Sequence, residues 1–344
     1  ALGNNVKVLT TDIHLDQSEN KSLLDLDLIA ISCINKRFYI PWPDLRKINN
    51  AVKESEIIQL FSHWTVLNAI VYVLIRLNNK PYVVTPLGAL PIFGRSNFFK
   101  KIYNIIFGKK IIRNAQKNIL ATLGELPALK TYGVDESKVA HLPNGINEEE
   151  YSAETDDSFK TRLGIGHTPY VLFIGRLNPI KAPDILLKAF CQINKRFPNI
   201  NLVLIGPDEG MLGDLKAIVL NESIADKVHF LGYVSKADKA AIIHSSLFLC
   251  VPSRKEAMSI VVLEAGISAK PALITDQCGF DEVEEVGGGF VVEANIRGIS
   301  EGLDKMLKDP DRLTPMGLKL QQTVRDLSLI HISEPTRLLS ISYA

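Results

Sequence analysis

The feature that most constrains the fold is the alternation of short apolar runs with helical patterns in the second half of the chain. The runs are nearly continuous in hydrophobicity, which is typical of strands buried on both faces of a parallel sheet. Because helical patterns follow several runs, this half predicts a doubly wound α/β domain. The predicted strands are YVLFIG (170–175), NLVLIG (201–206), VHFLGYV (228–234), LFLCVPS (247–253), PALIT (271–275) and GFVVE (289–293).

The first half also alternates apolar runs with helical patterns, but less regularly. Five apolar runs predict strands, with helical patterns between several of them, so we expect a second Rossmann-like domain over residues 1–150. A sheet of this type normally opens with a strand and a helix ahead of the first run, and we expect both to be missing. The predicted strands are VKVLTT (6–11), LDLIAIS (26–32), EIIQLFS (56–62), PYVVTP (81–86) and KNILATL (117–123).

Composition sets the remaining boundaries. The stretch 147–169 is polar and acidic and carries Gly and Pro near its end, which predicts a linker over 151–168 before a second domain over 169–326. The run LSLIHISEPTR (327–337) resembles a translated sequencing adapter, so we interpret 327–344 as a scar outside the fold. Since the chain also starts at Ala1 without a methionine, we expect a reading frame clipped at both ends.

Composition also narrows the class of protein. The 344 residues are 46% hydrophobic, which is enough for two cores, and a formal charge of +1 creates no global field favouring nucleic acid. The four cysteines are widely spaced, which indicates reduced thiols in a cytoplasmic protein. The sequence contains no run of 18 apolar residues, so it predicts no transmembrane helix.

A dinucleotide-dependent dehydrogenase is excluded by the context of its glycines. The fingerprint requires G-x-G-x-x-G directly after a strand. In GIGHTP (164–169) Pro169 replaces the third glycine, and a predicted strand follows the segment rather than preceding it.

Two cations in one predicted loop suggest a phosphate site. Arg176 and Lys181 lie between a predicted strand and helix, and ligands bind at the carboxyl ends of parallel strands. A guanidinium fork and a mobile ammonium suit a diphosphate. The alternative is that both side chains are ordinary solvated loop residues.

The segment RKEAMSIVVLEAG (254–266) adds two glutamates to this edge. If a helix begins near Ser259, its free N–H groups and dipole form a second anion site between Glu256 and Glu264. Eight helical residues span about 12 Å, which suits one carboxylate at each end of a nucleotide sugar. The alternative is that the two glutamates serve as helix-capping and surface residues.

These segments resemble the retaining GT-B glycosyltransferases of family 4. The resemblance is carried by FIGRLNPIKAPDILLKAF (173–190), NLVLIGPDEG (201–210) and PSRKEAMSIVVLEAGISAKPALIT (252–275), and by HLPNGI (141–146) between the domains. It implies two Rossmann-like doubly wound domains facing across a cleft.

The resemblance also implies residue roles. Arg176 and Lys181 would stabilise the leaving diphosphate, and Glu256 would contact the transferred sugar, so that these three are the expected catalytic residues. No metal or other cofactor is implied, and the donor substrate would be a UDP- or GDP-sugar. The implied donor-binding residues are Gly175, Gly206, Tyr233, Val234, Met258, Ser259, Ile260 and Glu264.

The acceptor side departs from the family pattern. Related enzymes often carry histidines where this chain has Gln59, Phe61 and Leu87, with Gly88 beside them, and these four are the expected acceptor-side residues. His63 lies next to those positions, and we expect a structural role for it. On the donor side, EAMS (256–259) replaces the usual glycine-lined sequence, which leaves the identity of the sugar open.

A basic amphipathic segment covers residues 94–117. It contains seven cations and no acid, with four aromatic residues interleaved, which suits an anionic membrane surface. The alternative is an ordinary surface helix whose aromatic side chains face the core. The cations are Arg95, Lys100, Lys101, Lys109, Lys110, Arg113 and Lys117, and the aromatics are Phe98, Phe99, Tyr103 and Phe107.

From the resemblance we expect a cytoplasmic or peripheral, metal-independent transferase. It would move a hexose or N-acetylhexosamine to a glycan or lipid-linked acceptor, in bacterial surface polysaccharide biosynthesis, with no nucleic-acid partner. The alternatives are a GT-B epimerase and a non-catalytic sugar-nucleotide-binding partner. A phosphorylase would need a pyridoxal-phosphate lysine site, which the sequence does not show.

Overall fold

A computed structural model describes residues 5–13, 27–35, 40–42, 44–92, 97–151 and 158–333, with side chains described as far as residue 327. The described chain separates into two compact units, one ending at Pro143 and the other beginning at Asn144. Each unit has its own parallel sheet.

The second unit is built on a six-stranded sheet in which every pair of neighbouring strands is parallel, with the order β11-β10-β9-β12-β13-β14. This is the strand order of a doubly wound Rossmann fold, which confirms the predicted α/β class. The order reverses between β9 and β12, so the loops that follow these two strands meet at the point where such folds bind ligands. The strands are β9 (Tyr170–Ile174), β10 (Asn201–Ile205), β11 (Val228–Gly232), β12 (Phe248–Val251), β13 (Ala272–Thr275) and β14 (Gly289–Val292).

Helices cover this sheet. Val171, Phe173 and Phe248 are fully buried in one cluster with residues of α7 and α12, which also pack against each other. Helix α10 packs against α13 and β12. The apolar runs are therefore continuous because helices cover the strands. The helices are α6 (Ser158–Arg162), α7 (Pro183–Ile193), α8 (Leu212–Asn221), α9 (Lys236–Ser245), α10 (Ile260–Ile267), α11 (Glu282–Glu285), α12 (Ile296–Leu307) and α13 (Leu313–Ser333).

The first unit contains a four-stranded parallel sheet of order β5-β6-β7-β8, a parallel pair β1-β2 and an antiparallel pair β3-β4. All five predicted strands are present, whereas β3, β4 and β8 were not predicted. The strands are β1 (Lys7–Thr11), β2 (Asp27–Ile31), β3 (Cys33–Asn35), β4 (Ile40–Pro41), β5 (Ile58–Phe61), β6 (Tyr82–Thr85), β7 (Lys117–Leu120) and β8 (Val139–His141).

The helices of the first unit pack against this sheet through an apolar cluster that includes Ile48, Val84 and Leu120. The basic segment forms two short α-helices joined by a π-helical turn at Asn104–Gly108. The helices are α1 (Leu45–Glu54), α2 (Val66–Leu77), α3 (Asn97–Tyr103), α4 (Lys109–Asn114) and α5 (Leu126–Thr131).

The predicted domain boundaries differ in detail from these units. The stretch 151–168, predicted as a linker, contains α6, whose Phe159 is 2% exposed. Helix α13 continues past residue 326, where the adapter-like segment was predicted to begin. Residues 334–344 of that segment, and Arg95 of the basic segment, lie outside the described residues.

Candidate functional site

Two glycines shape the carboxyl edge of the second unit's sheet. Gly175 follows β9 and donates its N–H to the Ile205 carbonyl at 3.0 Å, and Gly206 donates to the Gly232 carbonyl at 2.7 Å. Gly206 has a φ of +136°, and a Cβ there would lie 2.1 Å from the Gly175 oxygen. Only glycine allows this approach of two backbones at the end of neighbouring strands.

Arg176 begins the loop after β9, and its guanidinium pairs with Glu209, which follows β10. Nη1 of Arg176 lies 2.9 Å from Glu209 Oε1, and Asn178 Nδ2 donates to Glu209 Oε2 at 2.7 Å. Asn178 Oδ1 also accepts the N–H groups of Ile180 and Lys181 at 3.0 and 2.9 Å. Asn178 thus holds both the loop backbone and Glu209, the partner of Arg176. Sequence reasoning missed both Asn178 and Glu209.

Lys181 and Glu256 are brought into direct contact. Lys181 Nζ lies 3.0 Å from Glu256 Oε1, and the Glu256 side chain is only 8% exposed. Ser253 Oγ donates to the same carboxylate oxygen. The Glu256 N–H donates to the Gln277 carbonyl at 2.8 Å. Two side chains therefore hold the Glu256 carboxylate at the β9–β12 switch point, and the Gln277 carbonyl holds the Glu256 backbone.

The helix predicted near Ser259 is α10, with Ser259 as its N-cap. Ser259 is fully buried, yet its side chain makes no capping hydrogen bond and its Oγ has no hydrogen-bond partner among the described residues. Met258 before it is 7% exposed, whereas Ile260 is 46% exposed. Since no side chain caps the first turn, its amides retain the capacity to bind an anion.

Glu264 lies inside α10 and is 7% exposed. Its Oε1 pairs with Lys239 Nζ of α9 at 2.7 Å. Its Oε2 is buried without a hydrogen-bond partner among the described residues. Burial, together with the Glu264 charge, raises the pKa of Tyr151.

The residues predicted for the base follow β11. Tyr233 is 59% exposed, and Val234 is partly exposed. Among the predicted catalytic and donor-binding residues, the described contacts join Lys181 to Glu256. Arg176 and Glu264 pair instead with Glu209 and Lys239, which the sequence did not single out.

The predicted acceptor-side residues lie where β5 and β6 end in the first unit. Gln59 donates to Thr85 Oγ1 at 2.7 Å, and Phe61 is 37% exposed. Leu87 adopts a left-handed φ of +54°, and Gly88 donates its N–H to Glu125 Oε2 at 2.6 Å. Backbone strain at a strand end is common at binding loops.

His63 is buried rather than directed to solvent. It is 1% exposed, and its ring lies edge-on to the rings of Trp64 and Tyr132 at 4.5 and 5.4 Å between centroids. Burial lowers the pKa of His63 to about 4. A neutral imidazole packed among aromatic rings fits the structural role expected for it.

Across the described residues, no group of three or more His, Cys, Asp or Glu side chains is placed to hold a metal ion. None of the described helices is long and apolar enough to cross a membrane.

Comparisons with known proteins identify a family and several relatives that this chain resembles. Residues 155–322 match the sequence model of the family "Glycosyl transferases group 1". The chain is 29% identical over 236 residues to a D-inositol 3-phosphate glycosyltransferase of Nocardia farcinica, covering 66% of this chain and 52% of the relative. It is 30% identical over 185 residues to an uncharacterized glycosyltransferase of Methanocaldococcus jannaschii, covering 52% and 47%. The chain thus spans about half the length of the curated relatives it matches.

Solved structures show the same fold. The crystal structure of Anabaena HepE in complex with UDP and glucose matches with a TM-score of 0.76 at 17% identity, over 92% of this chain and 89% of that one. WaaG, a glycosyltransferase involved in lipopolysaccharide biosynthesis, matches with a TM-score of 0.67 at 18% identity, over 95% and 87%. Residues 155–322 are thus similar to the glycosyl transferases group 1 family, and the fold of the chain is GT-B.

Proposed function

We propose that this chain acts as a retaining, metal-independent glycosyltransferase. It would transfer a hexose or N-acetylhexosamine from a nucleotide-diphosphate sugar to a glycan or lipid-linked acceptor. The observation that carries the proposal is the Lys181–Glu256 contact at the switch point of the second sheet, directly before the uncapped start of α10. A cation, a carboxylate and a helix N-terminus at this edge match the parts of a sugar diphosphate.

The phosphate end of the donor would be neutralised by three groups. Lys181 and the first amides of α10 lie at the switch point, and Arg176 follows β9 on the same sheet edge. As the glycosidic bond to the diphosphate breaks, negative charge grows on the leaving oxygen, and preorganised cations stabilise that charge. Arg176 would exchange its contact with Glu209 for the phosphate oxygens.

The sugar end would meet Glu256. This carboxylate is oriented by Lys181 and Ser253, so its remaining acceptor capacity is directed rather than mobile. Hydroxyl groups of the transferred sugar are donors that a carboxylate accepts well. The contact holds the anomeric carbon against the acceptor, which supports catalysis by positioning.

The nucleoside end would lie beside α10 and β11. Glu264 would accept the ribose hydroxyl groups, and the base would lie near Tyr233 and Val234. HepE of Anabaena is solved with UDP and with UDP-glucose, which favours a uridine donor over a guanosine donor for this chain as well.

The test is UDP titration and UDP-sugar turnover by the full chain. Arg176→Ala and Lys181→Ala should each lower turnover by about 10²–10³, because each removes a group that stabilises the leaving diphosphate. Lys188→Ala is the matched control, since Lys188 is an exposed lysine on α7. Wild-type turnover by either variant would refute the phosphate assignment. A chain that binds UDP but releases no UDP from UDP-sugars would favour a non-catalytic binding protein.

We further propose that residues 97–110 bind an anionic membrane surface and that the chain encounters its acceptor there. Five large apolar side chains of this segment are exposed at helical spacing: Phe98 (70%), Phe99 (69%), Ile102 (39%), Ile105 (72%) and Ile106 (48%). Tyr103 and Phe107 pack instead against the core. The alternative of aromatic side chains that face the core therefore applies to Tyr103 and Phe107, and the membrane proposal rests on the exposed side chains.

Charge complementarity favours a lipid surface over a protein partner for this exposed stripe. Lys101, Lys109 and Lys110 are exposed around it, and no acidic residue occurs between 97 and 117. Apolar side chains enter the interface while lysines bind anionic headgroups. A lipid-linked acceptor would then be presented at the same surface.

A further inference from the structure

The two oxygens of Glu264 differ in a way that the proposed ribose contact does not by itself explain. Oε1 is paired with Lys239 Nζ at 2.7 Å, whereas Oε2 is buried and has no hydrogen-bond partner among the described residues. The Glu264 side chain is 9% exposed. An unpartnered carboxylate oxygen at this depth is unfavourable unless a ligand supplies a donor.

Lys239 is placed to fix which oxygen remains open. Its side chain is 27% exposed and extends from α9, and its ammonium lies 5.9 Å from the centre of the Tyr151 ring. Tyr151 is itself 7% exposed, so the ammonium group reaches Glu264 beside a buried aromatic ring. The cation therefore holds Oε1, and Oε2 is left without a hydrogen-bond partner among the described residues.

We propose that Lys239 is a positioning residue for the donor nucleotide: by holding Glu264 Oε1, it directs Oε2 to the ribose hydroxyl groups and thereby sets discrimination between ribo- and deoxyribonucleotides. This inference rests on the proposed function. It adds a role for a residue of α9, whereas Glu264 lies in α10, and it names the part of the ligand that depends on this residue.

The physical reason is that a buried carboxylate needs a partner, and the position of that partner fixes the orientation of the two carboxylate oxygens. Without the ammonium, Glu264 would keep its burial but lose its cation, which is strongly unfavourable for a lone charge. The side chain would then rotate toward solvent, and Oε2 would no longer face the ribose. The loss should concern the ribose contact and leave the diphosphate contacts of Lys181 in place.

The experiment is a ligand-and-variant cycle measured by calorimetry on the full chain. The ligands are UDP and 2′,3′-dideoxy-UDP, or the guanosine pair if GDP is the nucleotide that binds. The wild type should prefer the ribonucleotide by about tenfold or more, as expected for hydrogen bonds to a charged group. In Lys239→Met this preference should fall to within about twofold of unity, while affinity for the dideoxy ligand stays unchanged.

The matched control is Lys236→Met, on the same helix. Lys236 is 75% exposed and pairs only loosely with Glu150 at 3.6 Å, so its loss should leave the preference intact. Lys239→Arg keeps a cation beside Glu264 and should restore most of the preference. If Lys239→Met does not fold, Lys239→Gln keeps a donor without the charge and should lower the preference by at least about threefold.

The outcomes separate the two proposals. A wild-type chain that binds neither UDP nor GDP would overturn the proposed function and this inference with it. Normal UDP binding with an unchanged ribose preference in Lys239→Met would overturn this inference alone. Equal losses for UDP and the dideoxy ligand would also overturn it, since they would show a general structural effect.

Discussion

Acidification should destabilise the first unit through one buried side chain, His63. Its Nε2 lies 3.2 Å from Asn104 Oδ1, while its Nδ1 is buried without a hydrogen-bond partner among the described residues. Burial lowers the pKa of His63 from 6.5 to about 4, and the Asn104 contact offsets only part of this effect. An imidazolium at this position would be poorly solvated.

The direction of the pH dependence follows from the sign of this shift. Because the folded-state pKa lies below the unfolded value, the unfolded chain binds the proton more readily between the two values. The stabilisation is complete above pH 6.5 and is lost as the pH falls toward about 4. At ~1.4 kcal/mol per pKa unit, acidification from pH 6.5 to about 5 should remove about 2 kcal/mol from the free energy of unfolding.

Tryptophan fluorescence isolates this effect. The chain has two tryptophans, Trp42 and Trp64, and both belong to the first unit. Urea unfolding of the full chain at about pH 7.5 and about pH 5 should therefore report this unit. His63→Gln is neutral at both pH values and serves as the reference, so the wild type should lose about 2 kcal/mol more than the variant. Equal losses in the two proteins would refute the reasoning.

Two further predictions concern the second sheet's edge and the exposed stripe. Gly206→Ala should abolish UDP binding, because the added Cβ would lie 2.1 Å from a backbone oxygen. Gly213→Ala should bind UDP normally, because a Cβ there has no atom within 4 Å. Calorimetry on both variants checks this prediction, and equal UDP affinities would contradict it. The full chain should bind anionic liposomes more tightly than neutral ones and be released by salt. Replacing Phe98, Phe99 and Ile105 by serine should weaken that binding in sedimentation assays, and unchanged binding would leave the stripe without a lipid role.

The parallel sheets were predictable because most residues of their buried strands are apolar. YVLFI of β9 and NLVLI of β10 are examples, and both are almost fully buried. The strands that were missed lack this signal. β4 has two residues, and β3 has three, with partly exposed side chains. Their pairing depends on backbone hydrogen bonds, which leave no hydrophobic pattern in the sequence.

The basic segment shows a different limit. Its composition predicted one amphipathic stretch, but the structure divides it into α3, a π-helical turn and α4. Gly108 lies in that turn, and a Cβ there would come 2.9 Å from the His63 ring. The division therefore accommodates a packing contact with a residue 45 positions earlier. Local periodicity carries no information about such a contact.

The ion pairs of the candidate site show why the sequence could suggest candidate ligand-facing residues but not their partners. A glutamate in apolar surroundings requires a partner, and this physical argument applies to Glu264 without any knowledge of the fold. Which cation it would be depended on α9 packing beside α10, and Lys239 lies 25 positions away. The same holds for Arg176, whose partner Glu209 is brought to it because β9 and β10 are neighbours in the sheet. The residue types at a site thus follow from its chemistry, whereas the pairs follow from strand order and helix packing, which a single sequence without its fold does not contain.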